Sequence, residues 1–183
     1  MNNMKIKTVV VILSILIVFF LFLQETMASK STVNYTLPWP GILPDNKIYK
    51  LKVLRNKIIE KIIISPIKKI EFDLLMADKT IYASKLLIDK GEVNLAKDTA
   101  LKGENYFSIL VNDYNKAVSS HLKIPRDLDT KIDLATIKHQ EVFNSIINLV
   151  NKEDKKTFEI TNNFSKINYK LILEIRNNQH NNK

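Results

Sequence analysis

Beyond residue 46, apolar residues recur every three or four positions along most of the chain, the spacing that places them on one face of an α-helix. Five such segments, joined by short connections, predict five helices. The clearest two run from residue 66 to about residue 120, and Lys90-Gly91 between them is a typical helix end. They predict an antiparallel helical hairpin, with apolar stripes made of Ile67, Ile70, Leu74, Ala77, Ile81, Ser84 and Ile88, and of Val93, Ala96, Ala100, Gly103, Phe107, Leu110, Tyr114 and Ala117.

Prolines interrupt the pattern on both sides of the hairpin, at Ser65-Pro66 and at Ile124-Pro125. Proline lacks a backbone donor and starts a helix more readily than it continues one. One helix is predicted to begin near Asn46 with Asp45 as its N-cap, and two follow Pro125, separated by a turn over residues 151–154. Their predicted buried stripes are Leu51, Leu54, Ile58 and Ile62; Leu128, Ile132, Ala135, His139, Val142, Ile146 and Leu149; and Phe158, Phe164, Ile167, Leu171 and Ile175.

The N-terminal segment has the order of a secretory signal peptide. Lys5 and Lys7 precede the uncharged residues 8–23, and a small-residue site follows at residues 26–28. Because the uncharged run approaches the length that spans a bilayer, an uncleaved membrane anchor is the alternative. We therefore predict an exported protein, either secreted or anchored on the extracytoplasmic face of the membrane.

The predicted fold class is all-α: an N-terminal signal or anchor segment followed by a small helical bundle built on the antiparallel hairpin. The predicted division of the chain has four parts. They are a signal peptide or anchor at 1–28, a proline-rich linker or lid at 29–45, the helical bundle at 46–176 and a polar disordered tail at 177–183.

Charge is unevenly distributed. The chain carries a formal net charge of +9, and residues 46–70 hold eight basic residues against the single acid Glu60, a net charge of +7. Clustered lysines attract anionic lipid headgroups or wall polymers through screened electrostatics. We predict envelope-surface contact by Lys47, Lys50, Lys57 and Lys61, with an ordinary solvated face as the alternative, and export argues against a nucleic-acid partner.

A proline-rich segment, residues 37–45, precedes the basic helix. Its prolines fix the backbone in extended or turning conformations, so it forms no helix. We predict that Leu37, Trp39 and Leu43 fold back as a lid over the hairpin, and the alternative is a recognition segment for a partner. The residues of this lid or recognition segment are Pro38, Trp39, Pro40, Gly41, Pro44 and Asp45.

Residues 37–58, LPWPGILPDNKIYKLKVLRNKI, resemble the opening of a family of exported helical proteins from small-genome bacteria, the domain-of-unknown-function family five-six-six-seven. The resemblance is carried by Leu-Pro-aromatic-Pro-Gly-hydrophobic-Leu-Pro-Asp followed by Tyr-x-Leu-Lys. Further similar strings occur at residues 65–69, 77–79, 102–106 and 138–142. The resemblance implies a signal-bearing helical protein and supplies no reaction.

No motif in the sequence indicates catalysis or a cofactor. Without cysteine, the chain has no disulfide, thiol nucleophile or cysteine zinc site, and its three glycines form no phosphate-binding loop. His139, on the fourth stripe, is a weak metal candidate, and we interpret it as a hydrogen-bonded core residue. Carboxylates are interpreted as solvated charges on helix faces, namely Asp73, Asp78, Glu92, Asp98, Glu104 and Asp113.

The sequence thus favours a non-enzymatic binding or scaffolding module at the cell envelope, in contact with an anionic membrane or cell-wall surface or with an envelope protein. The alternative is a small-ligand or metal-binding carrier, with His139 and neighbouring acids lining a pocket between the third, fourth and fifth helices. A third interpretation is a cationic membrane-active factor.

Overall fold

The computed structural model describes residues 33–181, and side chains for residues 33–179, so the predicted signal or anchor segment lies outside the described residues. The described chain forms five helices and contains no strand, which confirms the prediction of an all-α fold for this part. The helices are α1 (Tyr49–Ile62), α2 (Pro66–Asp89), α3 (Val93–Ser119), α4 (Arg126–Leu149) and α5 (Lys152–Asn181).

Helices α2 and α3 form the predicted hairpin. Ser65 caps α2 by accepting a hydrogen bond from the backbone of Lys68, and Pro66 occupies the first turn. Gly91, at φ +81°, provides the left-handed turn between the helices. Gly103 of α3 faces Ile81 so closely that an added Cβ would lie 2.6 Å from Ile81 Cγ1. The absence of a side chain at residue 103 therefore lets α2 and α3 approach closely at this point.

Helices α4 and α5 complete a four-helix bundle. Helix α4 packs against α2, while α5 packs against α3 and α4. Two apolar clusters fill the interior: one includes Ile70, Phe107, Leu110, Leu128 and Ile172, and the other includes Ile81, Leu87, Ala96, Phe143 and Phe158. The described residues 33–181 belong to one compact unit with this interior as its core.

Several predicted boundaries differ from the structure. Asp45 does not cap α1, because α1 begins only at Tyr49 and the carboxylate of Asp45 instead binds Lys90 Nζ at 2.7 Å. Helix α5 begins at Lys152, so the predicted turn is shorter, with Asn151 Oδ1 accepting from the backbone of Asp154. Since α5 continues to Asn181, the predicted polar tail overlaps its last turns.

The structure also corrects two predicted stripes besides that of α1. On α4, Leu149 is exposed and Phe143 takes a core position. On α5, Phe164, Ile167 and Leu171 are exposed. The buried face of α5 combines Phe158 and Ile172 with Thr161, Asn162, Ser165 and Asn168.

Within residues 33–181, none of the helices combines the length and the apolar character that crossing a membrane requires.

Candidate functional site

Helix α1 lies outside the four-helix bundle, against the side chains of α2 and α3. Its buried residue is Asn56, which contacts Met76 of α2 through Nδ2 and Sδ at 3.5 Å. Lys69 of α2 binds Glu60 of α1 at 3.2 Å. The ring of Tyr49 lies 5.7 Å from the ammonium group of Lys102 on α3. These contacts fix which face of α1 points toward the bundle and which points away.

The four predicted surface lysines lie on or beside the outward half of α1. Lys47, Lys50, Lys57 and Lys61 are all exposed. Among residues 33–179, no carboxylate lies within ion-pair distance of these four ammonium groups. The four lysines are therefore available to an external anion.

The inward half of α1 adds further cations. Lys52 Nζ donates to the carbonyl oxygens of Pro40 and Ile42 at 2.6 and 2.8 Å and lies 5.4 Å from the centre of the Tyr49 ring. Burial, together with the positive charges of Lys79, Arg55 and Lys102, lowers the pKa of Lys52 to about 8. The pKa of Lys102 is also lowered, by burial and by Lys57. This part of the surface is thus crowded with positive charge.

The predicted burial of the α1 stripe is wrong. The four side chains form a continuous apolar ridge on the outward face, which we call the α1 ridge. Its members and their exposed fractions are Leu51 67%, Leu54 57%, Ile58 54% and Ile62 69%.

The predicted stripe of α1 is exposed because the same helix carries a second stripe on its opposite face. Tyr49, Val53, Asn56, Ile59 and Ile63 also recur at helical spacing, and this stripe is the one turned toward the bundle. A helix that carries apolar residues on both faces can bury only one of them against a single surface. Hydrophobic period alone does not choose between them.

Cations border the α1 ridge. At 100° per residue, Lys50, Lys57 and Lys61 follow one edge of the ridge and Arg55 lies on the other. Helix α1 carries five basic residues and one acid, and the acid, Glu60, is on the inward side bound to Lys69. The outward face therefore combines exposed apolar side chains with positive charge alone.

The proline-rich segment behaves only partly as the predicted lid. Leu37 and Leu43 are buried, whereas Trp39 is 65% exposed and touches the bundle edge-on through Tyr82, with ring centres 5.9 Å apart. Lys52 holds the carbonyls of Pro40 and Ile42, which joins the segment to α1. Gly41, which lies between Pro40 and Ile42, turns the backbone at φ +70°, a conformation that favours glycine.

A shallow cavity of about 510 Å³ lies between the proline-rich segment and the end of α2. Its wall includes Trp39, Leu43, Leu86 and the ion pair of Asp45 with Lys90. Among the predicted lid residues, Trp39, Gly41 and Asp45 thus share one cavity. Lys47, Lys50, Lys57 and Lys61 do not line it.

His139 is a hydrogen-bonded core residue, as predicted. Its Nε2 lies 2.7 Å from Asp78 Oδ1, and Asp78 Oδ2 accepts a 2.5 Å hydrogen bond from the hydroxyl of Tyr35. Asp78 and the ring of His139 are buried, and Phe107 packs edge-on against the imidazole. Burial and the adjacent carboxylate raise the pKa of Tyr35, which keeps its hydroxyl protonated as the donor. Among the described residues, no group of three or more His, Cys, Asp or Glu could hold a metal ion.

Three carboxylates that were interpreted as solvated are buried, and that interpretation is wrong for them. Asp78 pairs with His139, and Asp73 binds Lys69 at 2.7 Å. Glu104 Oε1 accepts a hydrogen bond from Asn168 Nδ2 at 2.7 Å, while its Oε2 has no partner among the described atoms. Burial raises the pKa of Glu104 to about 8, against the lowering effect of Asn168.

Apart from His139, sequence reasoning missed a polar layer between the two apolar clusters. It contains Asp78 of α2, Glu104 of α3, His139 of α4 and Ser165 and Asn168 of α5. The recurrence of Thr161, Ser165 and Asn168 at helical spacing was the available signal. It was overlooked because the apolar residues of α5 have the same period.

Comparison with protein families, with curated proteins and with solved structures finds no match to this chain. The resemblance of residues 37–58 to a family of exported helical proteins stays a prediction.

Proposed function

We propose that this protein is a non-enzymatic binding or scaffolding module at the cell envelope, which attaches to an anionic surface through α1. The observation that carries the proposal is the group of four exposed lysines, Lys47, Lys50, Lys57 and Lys61, with no carboxylate paired to them among residues 33–179. Lipid headgroups and acidic wall polymers share the chemistry that these lysines recognise, a dense array of phosphate or carboxylate charge.

Crowding of positive charge supports this proposal. Lys52, Lys79 and Lys102 lie on the inward side of α1, and the pKa of Lys52 is lowered first by burial and then by the positive charges of Lys79, Arg55 and Lys102. Removing repulsion between like charges favours the binding of an anionic surface. Each lysine close to an anionic membrane contributes about 1 kcal/mol, so four act together at low salt and weaken as salt screens them.

The location is part of the same proposal. The signal-like residues 1–28 direct the chain out of the cytoplasm. The exported chain is then either anchored on the extracytoplasmic face of the membrane or released. Outside the cell, anionic lipids and wall polymers are available to α1, whereas nucleic acid is not an expected partner. The bundle then serves as a rigid body that holds α1 at the surface.

Co-sedimentation with vesicles tests the proposal. The chain from Ser29 onward retains all of the described compact unit and is suited to the assay. We expect binding to vesicles of phosphatidylglycerol at low salt, loss of most binding at high salt, and little binding to phosphatidylcholine.

Charge reversal supplies the matched control. The triple variant Lys50→Glu, Lys57→Glu and Lys61→Glu is expected to lose binding. A second triple variant, Lys156→Glu, Lys166→Glu and Lys170→Glu on α5, makes the same change in net charge at exposed positions and is expected to bind as the unaltered chain does. Equal binding by both variants would contradict attachment through α1.

A further inference from the structure

We infer that the α1 ridge inserts into the interface of a lipid bilayer, with α1 lying parallel to the membrane plane. This inference rests on the proposed function and narrows its partner from any anionic surface to a bilayer. The four ridge residues, Leu51, Leu54, Ile58 and Ile62, are each more than half exposed on one continuous helical face. Ile48 and Ile64, also exposed, extend the apolar surface beyond both ends of α1.

An apolar strip of this extent is not explained by the packing of the bundle. Single exposed apolar residues are ordinary on protein surfaces, whereas contiguous apolar patches bordered by polar residues mark sites of interaction. Within the described chain, the bundle is packed against the opposite face of α1 through Asn56 and Tyr49. The ridge therefore calls for an apolar partner from outside the domain.

The basic residues that border the ridge favour a lipid bilayer as that partner. The ridge is bordered by Lys50, Lys57 and Lys61 on one edge and by Arg55 on the other. Interfacial helices have this distribution, with apolar side chains in the acyl boundary and lysine or arginine at the headgroups. A hydrophilic wall polymer satisfies the lysines but offers nothing apolar to the ridge.

A second copy of this chain is a poorer occupant of the same face. Pairing two α1 helices ridge to ridge places the lysines of one copy against those of the other, because the only acid of α1, Glu60, faces Lys69 on the inward side. Like charges at such an interface oppose association. The bilayer supplies apolar and anionic groups together.

The chain length is compatible with this arrangement. Nine residues, 24–32, lie between Leu23, the end of the uncharged run, and Val33, where the described structure begins. Such a segment spans at most about 35 Å. If residues 8–23 remain in the membrane, the bundle stays within that distance of the bilayer surface, and α1 needs little additional affinity to remain bound.

Helix α5 provides a matched control within the same molecule. Its outward face also carries a row of exposed apolar side chains, Ile160, Phe164, Ile167 and Leu171. Unlike α1, this helix mixes charges, with Glu159 exposed and a Lys170–Glu174 pair. We expect insertion of α1 without insertion of α5.

The test uses the full chain in vesicles and a fluorescent probe. Because the chain has no cysteine, Leu54→Cys and Ile167→Cys each create a single labelling site, and the two native side chains have similar exposed fractions, 57% and 54%. Each variant carries an environment-sensitive dye and is reconstituted with brominated phosphatidylglycerol. We expect a blue shift and strong quenching at position 54, as for a helix buried about 5–10 Å into the interface, and neither at position 167.

Two variants separate the inference from the proposed function. The double variant Leu51→Asn and Ile58→Asn removes two apolar side chains from the ridge. In the chain from Ser29 onward, we expect it to weaken the binding that remains at high salt roughly 100-fold. The electrostatic binding that salt suppresses should persist. Salt-sensitive binding without any probe signal at position 54 would overturn insertion and leave the proposed function intact. Insertion that persists in the Lys50→Glu, Lys57→Glu and Lys61→Glu variant would overturn the proposed function instead.

Sedimentation equilibrium in the absence of lipid tests the competing occupant. We expect the chain from Ser29 onward to sediment as a monomer. A dimer that the Leu51→Asn and Ile58→Asn changes dissociate would overturn the assignment of the ridge to a bilayer.

Discussion

The α2–α3 hairpin and helix α1 both carry apolar residues at helical spacing, yet the hairpin buries most of its predicted stripe and α1 buries none of its own. Ile81 of α2 is fully buried, whereas Leu54 of α1 is largely exposed. The hairpin supplies two complementary surfaces, with Gly103 allowing Ile81 to approach the backbone of α3. Helix α1 has two apolar faces and one surface to cover them. The comparison teaches that period locates an apolar face but does not identify what covers it.

The largest expected effect comes from truncating one residue in each region. Ile81→Ala leaves a cavity in the core and should lower the free energy of unfolding by about 2–5 kcal/mol. Leu54→Ala should change it by less than about 0.5 kcal/mol, because the side chain is already in solvent. Urea denaturation of the chain from Ser29 onward measures both. Comparable losses would show that the α1 ridge is packed in solution and would remove the contrast.

The second effect concerns Glu104, which is buried on the hairpin although it is ionisable. Its pKa is about 8 in the folded protein and near 4.5 when solvated, so between these values the folded state binds more protons than the unfolded state. Stability should therefore fall as the pH rises from about 4.5 to 8, by an amount on the order of a few kcal/mol.

Glu104→Gln should flatten this decline, as followed by urea denaturation at several pH values. Burial also raises the pKa of Asp73, to about 6. Its contribution to stability should therefore fall as the pH rises over a lower range, and this residue serves as the internal comparison. An unchanged pH profile in Glu104→Gln would show that the carboxylate of Glu104 is solvated.

The smallest expected effect concerns the contact between Gly103 of α3 and Ile81 of α2. Gly103→Ala gains about 1 kcal/mol in helix propensity but forces a Cβ to within 2.6 Å of Ile81 Cγ1, so we expect a net loss of roughly 1–2 kcal/mol. In the Ile81→Ala background the contact with Cγ1 is removed and only the 3.1 Å approach to the backbone nitrogen of residue 81 remains, so the same change should cost less. A double-mutant cycle measures this coupling, and strict additivity would contradict the proposed contact.

Much of the fold could be predicted from the sequence, because proline, glycine and period act locally. Ser65-Pro66 and Gly91 mark the ends of α2, and the stripe from Ile70 to Ser84 is buried as expected. The helix starts were less accurate, because an Asp before an apolar stripe predicts an N-cap only if no better partner is near. Asp45 has such a partner in Lys90.

Prediction of the candidate site succeeded for local features and failed for those set by packing. The positions of the four lysines follow from the sequence, and each is exposed. The exposure of the α1 ridge and the burial of Glu104 could not be predicted, because both depend on which face of α1 and of α5 meets the bundle. On α5, the buried face carries Ser165 and Asn168, while the apolar Ile167 faces outward.

Amide hydrogen exchange of the chain from Ser29 onward, with and without vesicles, tests the central claim that α1 is the surface-binding element. Local opening of α1 should be suppressed when the helix binds, so its amides gain protection that a free α1 lacks. We predict slower exchange in Tyr49–Ile62 with phosphatidylglycerol vesicles at low salt, no change with phosphatidylcholine and no change in α5. Unchanged exchange in Tyr49–Ile62, or equal protection in α5, would contradict the account.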